Sequence, residues 1–322
     1  MPGIEAAGLT RQFSRQVVVD NLDLSVEPGT IVGLIGPSGC GKTTTVRLLT
    51  GLLRPTSGTS YVGGRNSTQL SKRDRRRIGY LPQIPALFDD LTVAENLRFH
   101  ASMYGLSWRS RRRRLAALLD WVELTPDRRK RVNQVSGGMQ RRLALAAAFV
   151  HSPAFAFLDE PTAGIDPILR EKFWSEFRTV ASGGSTMLVT TQYVGEAAYC
   201  DLVGVLSDGQ LLMVETPANL RRAAFGGDVV RVDLERPPTE ADMAALATPE
   251  NGARSVERFS DVSVRVVVED ANRALDVLRS GAADAGPRVV DAGEYVADFD
   301  EAFVRIVEQH RASTAEAAGV PA

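Results

Sequence analysis

Hydrophobic positions along this chain change period several times, and each change marks an element. An alternating region from residue 4 predicts an opening strand region, and Ile31 to Ile35 is apolar without a break, as in a strand buried on both faces. A glycine-rich turn follows, with a helix predicted to begin near Lys42. Between Thr92 and Arg131 the spacing becomes helical: Trp108, Leu115, Leu118, Leu119 and Val122 share one face, and Arg111 to Arg114 begin the same segment. A helix over Gln140 to Phe149, a strand over Phe155 to Leu158, a helix around Leu169 to Val180 and a strand over Thr186 to Thr190 come next. Strands alternating with helices predict an α/β core with a mostly parallel sheet wrapped on both faces, interrupted by a helical subdomain over about 84–150. The last hundred residues follow another order. A strand (Val229 to Leu234), a helix from Thr239, strands over Arg254 to Phe259 and Ser263 to Val268, a helix from Asn272 and a strand near Val289 give β-α-β-β-α-β. That order predicts a small α+β, ferredoxin-like sandwich, closed by a final helix from Asp300.

Charge divides the chain in the same place. Residues 1–227 carry 28 basic and 20 acidic side chains and residues 228–322 carry 10 and 19, although the whole chain has a net charge of only −1. With 322 residues and 44% apolar content there is material for one large core and one small one, so domains of 1–226 and 227–322 are expected. The second has no recognisable chemical site and is expected to be a regulatory or dimerisation module, with a stabilising appendage as the alternative. The longest apolar candidate, Leu143 to Leu158, is broken by His151, Ser152 and Pro153, so no membrane span is predicted. The N-terminus lacks the basic start and apolar segment of a secretory signal, and two cysteines make no disulfide framework. A cytoplasmic location is expected.

Three strings carry chemistry. Gly36, Pro37, Ser38, Gly39, Cys40, Gly41, Lys42 and Thr43 match the phosphate-loop pattern, with Thr44 next to it, directly after an apolar strand and before a helix. Glycines let successive backbone N–H groups turn toward a phosphate, and the helix N-terminus adds a favourable dipole. Lys42 neutralises the outer phosphates and Thr43 offers a hydroxyl to Mg²⁺. Cys40 serves as a loop spacer. Phe155 to Glu160 is an apolar strand ending in two carboxylates, which sets Asp159 to hold Mg²⁺ and Glu160 to polarise an attacking water. Val135, Ser136, Gly137, Gly138, Met139 and Gln140 precede a helix about twenty residues earlier, where Ser136 caps the helix and glycine N–H groups form a second anion site.

The last string, at that distance from the carboxylate pair, resembles the signature sequence of ATP-binding-cassette ATPases. The resemblance covers roughly residues 4–225 and implies a P-loop NTPase cassette that uses ATP and Mg²⁺. It further implies two cassettes packed head to tail, so that Ser136, Gly137 and Gly138 cap the nucleotide of a second copy. Position by position it implies that Phe13 stacks on adenine, that Gln83 contacts Mg²⁺ or the lytic water, and that Asp166 lies on the dimer interface. At the place of the family's usual switch histidine this chain has Gln192, which can donate a hydrogen bond to a phosphate but has no titratable proton. Thr190-Thr191-Gln192-Tyr193, with Ser136 to Met139, resembles the daunorubicin-resistance branch of drug-exporter ATPases, some members of which carry this glutamine. The resemblance implies a peripheral subunit on the cytoplasmic face of a bacterial membrane, driving efflux of a drug, lipid or other hydrophobic cargo through a separate permease.

Arginine clusters at Arg73 to Arg77, Arg109 to Arg114 and Arg128 to Arg131 invite a nucleic-acid reading. They flank helices with apolar opposite faces and have no interleaved aromatics, so solvated helix faces or contact with anionic lipid explain them and no nucleic-acid partner is expected. The competing class is a soluble cassette ATPase acting on the ribosome or on DNA. Such members usually join two cassettes or carry long coiled coils or zinc-binding cysteines, and this sequence has neither.

Overall fold

Alternation in the first 26 residues resolves into two long strands, β1 (Ile4–Phe13) and β2 (Gln16–Val26), paired antiparallel. The computed structural model describes residues 3–248, 252–279 and 288–317, in two units that divide between Val214 and Glu215. In the first unit β3 (Ile31–Ile35) leads through the glycine-rich loop into α1 (Lys42–Leu49), and β4 (Ser57–Val62) and β5 (Arg65–Asn66) complete an antiparallel sheet of order β2-β1-β4-β5. After α2 (Lys72–Arg75) come β6 (Ile78–Leu81), α3 (Val93–Met103), α4 (Trp108–Trp121), α5 (Gly137–Ala148), β7 (Phe155–Asp159), α6 (Pro167–Ser182), β8 (Thr186–Thr191), β9 (Leu202–Ser207) and β10 (Gln210–Glu215). These strands and β3 form a second sheet, of order β10-β9-β3-β8-β7-β6, in which β9, β3, β8, β7 and β6 run parallel. Every residue of β3, β7 and β8 is buried, as a parallel strand covered on both faces requires.

This order sets the site. The parallel strands end on one edge, so the loops leaving β3, β7, β8 and β6 emerge together at the carboxyl end of the sheet, where ligands bind in open α/β folds. The separate antiparallel sheet was not foreseen; the alternation of β1 and β2 predicts strands but not that they leave the parallel sheet. In the helical insertion Leu115, Leu118, Leu119 and Val122 are buried as their spacing predicts, while the side chain of Trp108 lies outside the described residues. Trp121 makes edge contacts with Phe149 and Phe173 at 5.4 and 5.7 Å, fastening α4 to the end of α5 and to α6. No helix among the described residues is long and apolar enough to cross a membrane.

The second unit holds α7 (Pro217–Phe225), β11 (Asp228–Leu234), α8 (Glu240–Leu246), β12 (Ala253–Arg258), β13 (Ser263–Val268), α9 (Ala271–Arg279), β14 (Val289–Glu294) and α10 (Phe299–Ala317). Its sheet order, β12-β13-β11-β14, with antiparallel pairing throughout, is that of a ferredoxin-like sandwich. Val230, Val232, Val264, Val266, Leu246 and Ala274 form its core. The division falls earlier than the expected 226/227. Gly226, with φ of 78°, caps the C-terminus of α7 and does not end a domain. The helix before it packs within the second unit: Gln309 donates to the Ala224 carbonyl at 3.0 Å, and the Arg305 guanidinium lies 4.2 Å from the Phe225 ring centroid.

Candidate nucleotide site

The loop from Gly36 to Thr43 owes its shape to backbone crowding. A Cβ on Gly36 would stand 2.2 Å from the Leu206 carbonyl oxygen, and one on Gly41, where φ is 110°, would stand 2.6 Å from that of Val18. Only glycine fits either place. Lys42, buried at the start of α1, donates to the carbonyls of Gly36 at 2.7 Å and Pro37 at 2.9 Å, folding the loop around its own ammonium group. Cys40 is buried beneath the loop, and burial raises its thiol pKa, so it acts as packing and not as a thiolate.

A cavity of about 330 Å³ opens above this loop, lined by Val18, Ser38, Gly39, Gly41, Lys42, Thr43, Thr44, Gln83 and Glu160. The structure thus brings together residues from three of the strand ends. Gln83 follows β6, where Pro82 stops the strand, and Glu160 follows β7 with φ of 52°, a left-handed conformation unusual for a side chain of its size. That turn is held from β8: the Glu160 N–H donates to Thr190 Oγ1 at 3.1 Å and to the Thr190 carbonyl at 3.0 Å. The same Thr190 hydroxyl donates to Asp159 Oδ1 at 2.6 Å. Asp159 is fully buried, and its second oxygen, Oδ2, has no hydrogen-bond partner among the described residues. A buried carboxylate oxygen left without a donor is what a cation at this position would satisfy. Gln192, just beyond β8, accepts a hydrogen bond from Ser38 at 3.2 Å, so the residue at the switch position touches the loop.

Other expected site residues lie elsewhere. Ser136, Gly138 and Asp166 line a second cavity of about 210 Å³ with Gly164, Ile165 and Arg142. Ser136 caps α5 by accepting from the Met139 N–H at 3.3 Å, and Gly137 is the first residue of that helix. Asp166 caps α6, accepting from Leu169 at 3.0 Å. Both cavities are therefore formed within the first unit, and none of the residues lining one lines the other. Phe13 is 42% exposed at the tip of the β1–β2 hairpin under the Arg11 guanidinium and takes no part in the core. The sequence marks Thr190 only as part of the Thr190 to Tyr193 string and gives it no role of its own. Its role depends on a contact 31 residues away, and a threonine in a fully buried strand gives no local signal.

A phosphate loop at the carboxyl end of a parallel sheet, a carboxylate pair beside it and a serine-glycine helix start in a second cavity define a nucleotide-hydrolysing cassette. Comparison with known proteins makes this specific. The family model described as ABC transporter matches residues 19–163. The daunorubicin/doxorubicin resistance ATP-binding protein DrrA of Streptomyces peucetius is 36% identical over 85% of this chain and 83% of its own. A daunorubicin resistance ATP-binding protein of Streptomyces coeruleorubidus is 34% identical over 98% and 97%. Among solved structures, a dimeric ATP-binding cassette in a post-hydrolysis state, bound to ADP and Pi, superposes with a TM-score of 0.61 at 27% identity, covering 66% of this chain and 98% of that one. The chain belongs to the ABC transporter family, as an ATP-binding, ATP-hydrolysing subunit.

Proposed function

We propose that this subunit powers export of a drug, lipid or other hydrophobic cargo through a separate integral-membrane permease, working as a head-to-tail pair of its own cassettes at the cytoplasmic face of the membrane. The observation that carries the pairing is the separation of the half-sites: Lys42, Thr43, Gln83 and Glu160 share one cavity, while Ser136, Gly138 and Asp166 share another. A second copy, turned head to tail, lays its signature loop over the phosphates held by the first. The relatives named for daunorubicin resistance support a drug cargo.

Within each site Lys42 and the loop N–H groups bind the phosphates, and Phe13 stacks on the adenine. Asp159 Oδ2, Thr43 and Gln83 would hold Mg²⁺, which neutralises charge on the β- and γ-phosphates when bound. Glu160, whose backbone turn aims its carboxylate into the cavity, orients the attacking water and takes its proton. Gln192 donates its amide N–H to a γ-phosphate oxygen while its carbonyl keeps Ser38. The ferredoxin-like unit serves dimerisation or regulation; unchanged assembly and turnover after truncation at Val214 would sink that role.

ATP hydrolysis measured across a protein concentration series, with and without Glu160→Gln, tests the core of this reading. Turnover that rises faster than linearly with protein and disappears in the variant is expected; linear turnover would remove the paired site. The export arm is tested by recovery of an integral-membrane partner on purification and by ATP-dependent efflux from vesicles holding both chains. Recovery on ribosomes or DNA instead would favour the soluble class.

A further inference from the structure

Arg141 lies on α5, five residues after the serine that begins the signature helix, and is only 6% exposed. Its guanidinium is turned into the protein. One terminal nitrogen, Nη1, donates to the carbonyls of Pro82, at 3.0 Å, and Gln83; the other, Nη2, donates to those of Asp159 and Glu160. Four backbone oxygens from two loops, those that present Gln83 and the carboxylate pair, thus converge on one planar group. Pro82, Gln83 and Glu160 lie just past the ends of β6 at Leu81 and β7 at Asp159, and Asp159 is the last residue of its strand, so the four carbonyls stand where the ladder between β6 and β7 has ended at Leu81 and Leu158. Glu160 also sits at positive φ, which its surroundings must hold. Burial pulls the Arg141 pKa down from its ordinary value, and Asp159 and Glu160 oppose that shift. The side chain keeps its charge, because an arginine is not deprotonated in proteins.

We infer that Arg141 is a positioning residue for hydrolysis, which fixes Gln83 and Glu160 relative to each other from the helix that carries the signature loop. It touches neither nucleotide nor water; it acts through the two loops. A fork of fixed geometry suits four acceptors arranged in two pairs, and no other side chain offers five donors in a plane. The consequence is specific. With Arg141 replaced, phosphate binding by Lys42 and the loop amides survives, since Arg141 makes no contact with them, while the lytic geometry loosens. Displacement of about 1 Å between a base and its target costs on the order of 100-fold in rate. The inference rests on the roles proposed above for Gln83 and Glu160.

The test uses the full chain as Arg141→Gln and Arg141→Lys beside the native protein and Glu160→Gln, and reads ATP turnover, KM for ATP, thermal midpoint and hydrogen–deuterium exchange. The expected result is a kcat lowered about 10- to 100-fold in Arg141→Gln at nearly unchanged KM, with part of the loss recovered by Arg141→Lys. Exchange should rise together in peptides spanning residues 82–86 and 159–163 and stay unchanged in α1, a readout that needs no turnover. Native kcat, or unchanged exchange at both loops, would overturn the inference. So would a fall in kcat accompanied by an equal loss of ATP affinity and of thermal midpoint, the signature of a merely structural arginine. If Arg141→Gln does not fold, Arg141→Lys decides by the same kcat and exchange criteria. A fully active Glu160→Gln would break the reading of Glu160 and leave the exchange result to judge Arg141 separately.

Discussion

Two aspartates, one in each unit, are treated in opposite ways. Asp159, fully buried in the cassette, receives one hydrogen bond from Thr190 on Oδ1 and keeps Oδ2 empty of partners among the described residues. Asp242, in the ferredoxin-like unit, takes Arg236 on both oxygens at 2.7 and 3.0 Å and closes the capping box of α8 with Thr239 at 2.8 Å. A buried acceptor left open is costly unless something outside the chain fills it, whereas a saturated one serves the fold that surrounds it. Chemistry is expected where polar groups are incompletely used, and stability where they are used up.

The largest effect that contrast predicts belongs to Glu160. Glu160→Gln keeps size and hydrogen-bonding capacity and removes only the base, so turnover should fall about 10²- to 10⁴-fold with ATP binding retained, as equilibrium binding of a nucleotide analogue would show. Retained turnover would put the base elsewhere. Next comes Thr190→Val, which keeps the shape of a buried strand and deletes the hydroxyl that joins Asp159 to the Glu160 N–H. Turnover should drop about 10- to 100-fold and the Mg²⁺ concentration for half-maximal rate should rise, because groups that orient a metal-binding carboxylate typically matter by that factor. A Mg²⁺ dependence identical to the native one would break the assignment of Asp159.

In the second unit the corresponding loss is structural. Arg265→Met removes the most buried partner of Glu301 and leaves that carboxylate to the Tyr295 hydroxyl at 3.3 Å and Arg305 at 3.7 Å, and should destabilise that unit by about 2 kcal/mol in urea titration while the turnover of folded protein stays native. A change in turnover larger than the change in stability would mean that the charge cluster reaches the chemistry, and the contrast between the units would fail.

What could be read from the sequence follows the same line. The phosphate loop, the paired carboxylates and the signature string were legible because their chemistry needs contiguous residues between a strand and a helix. The β-α-β-β-α-β order was legible from alternation alone, and Ser263 to Val268 emerges as β13 with those ends. Arg141 was not legible: its partners are backbone carbonyls up to 59 residues away, and in the sequence it is one more arginine among thirty-four. Nor was the unit to which α7 belongs, since a glycine such as Gly226 after a helical pattern signals equally a helix cap and a domain end. Only the packing of Phe225 under Arg305 decides which it is. Local strings announce groups that meet a ligand; groups that hold those strings in place are announced only by the fold.

The smallest effects distinguish the units by pH. His151, in the cassette, stacks on Tyr104 with ring centroids 3.6 Å apart and sits 3.1 Å from the Ile78 carbonyl, and burial holds its pKa down at about 4. An exposed histidine in the unfolded chain titrates near about 6.5. Between those values the unfolded chain takes up a proton that the folded one refuses. This contribution is therefore fully present above about pH 6.5 and lost as pH falls toward 4. Asp242 has its pKa lowered to about 2 by Arg236 and the Thr239 hydrogen bonds, so its contribution holds above about pH 4 and is lost as pH falls through about 2. Both signs are the same, but the windows do not overlap. Urea midpoints of native protein, His151→Phe and Asp242→Asn from pH 7 to 2.5 should show the native–His151→Phe difference shifting only above about pH 4. The native–Asp242→Asn difference should shift only below it. A His151→Phe difference that stays constant from pH 7 to 4 would mean that the imidazole titrates alike in both states, and that burial beside Tyr104 does not exclude its proton.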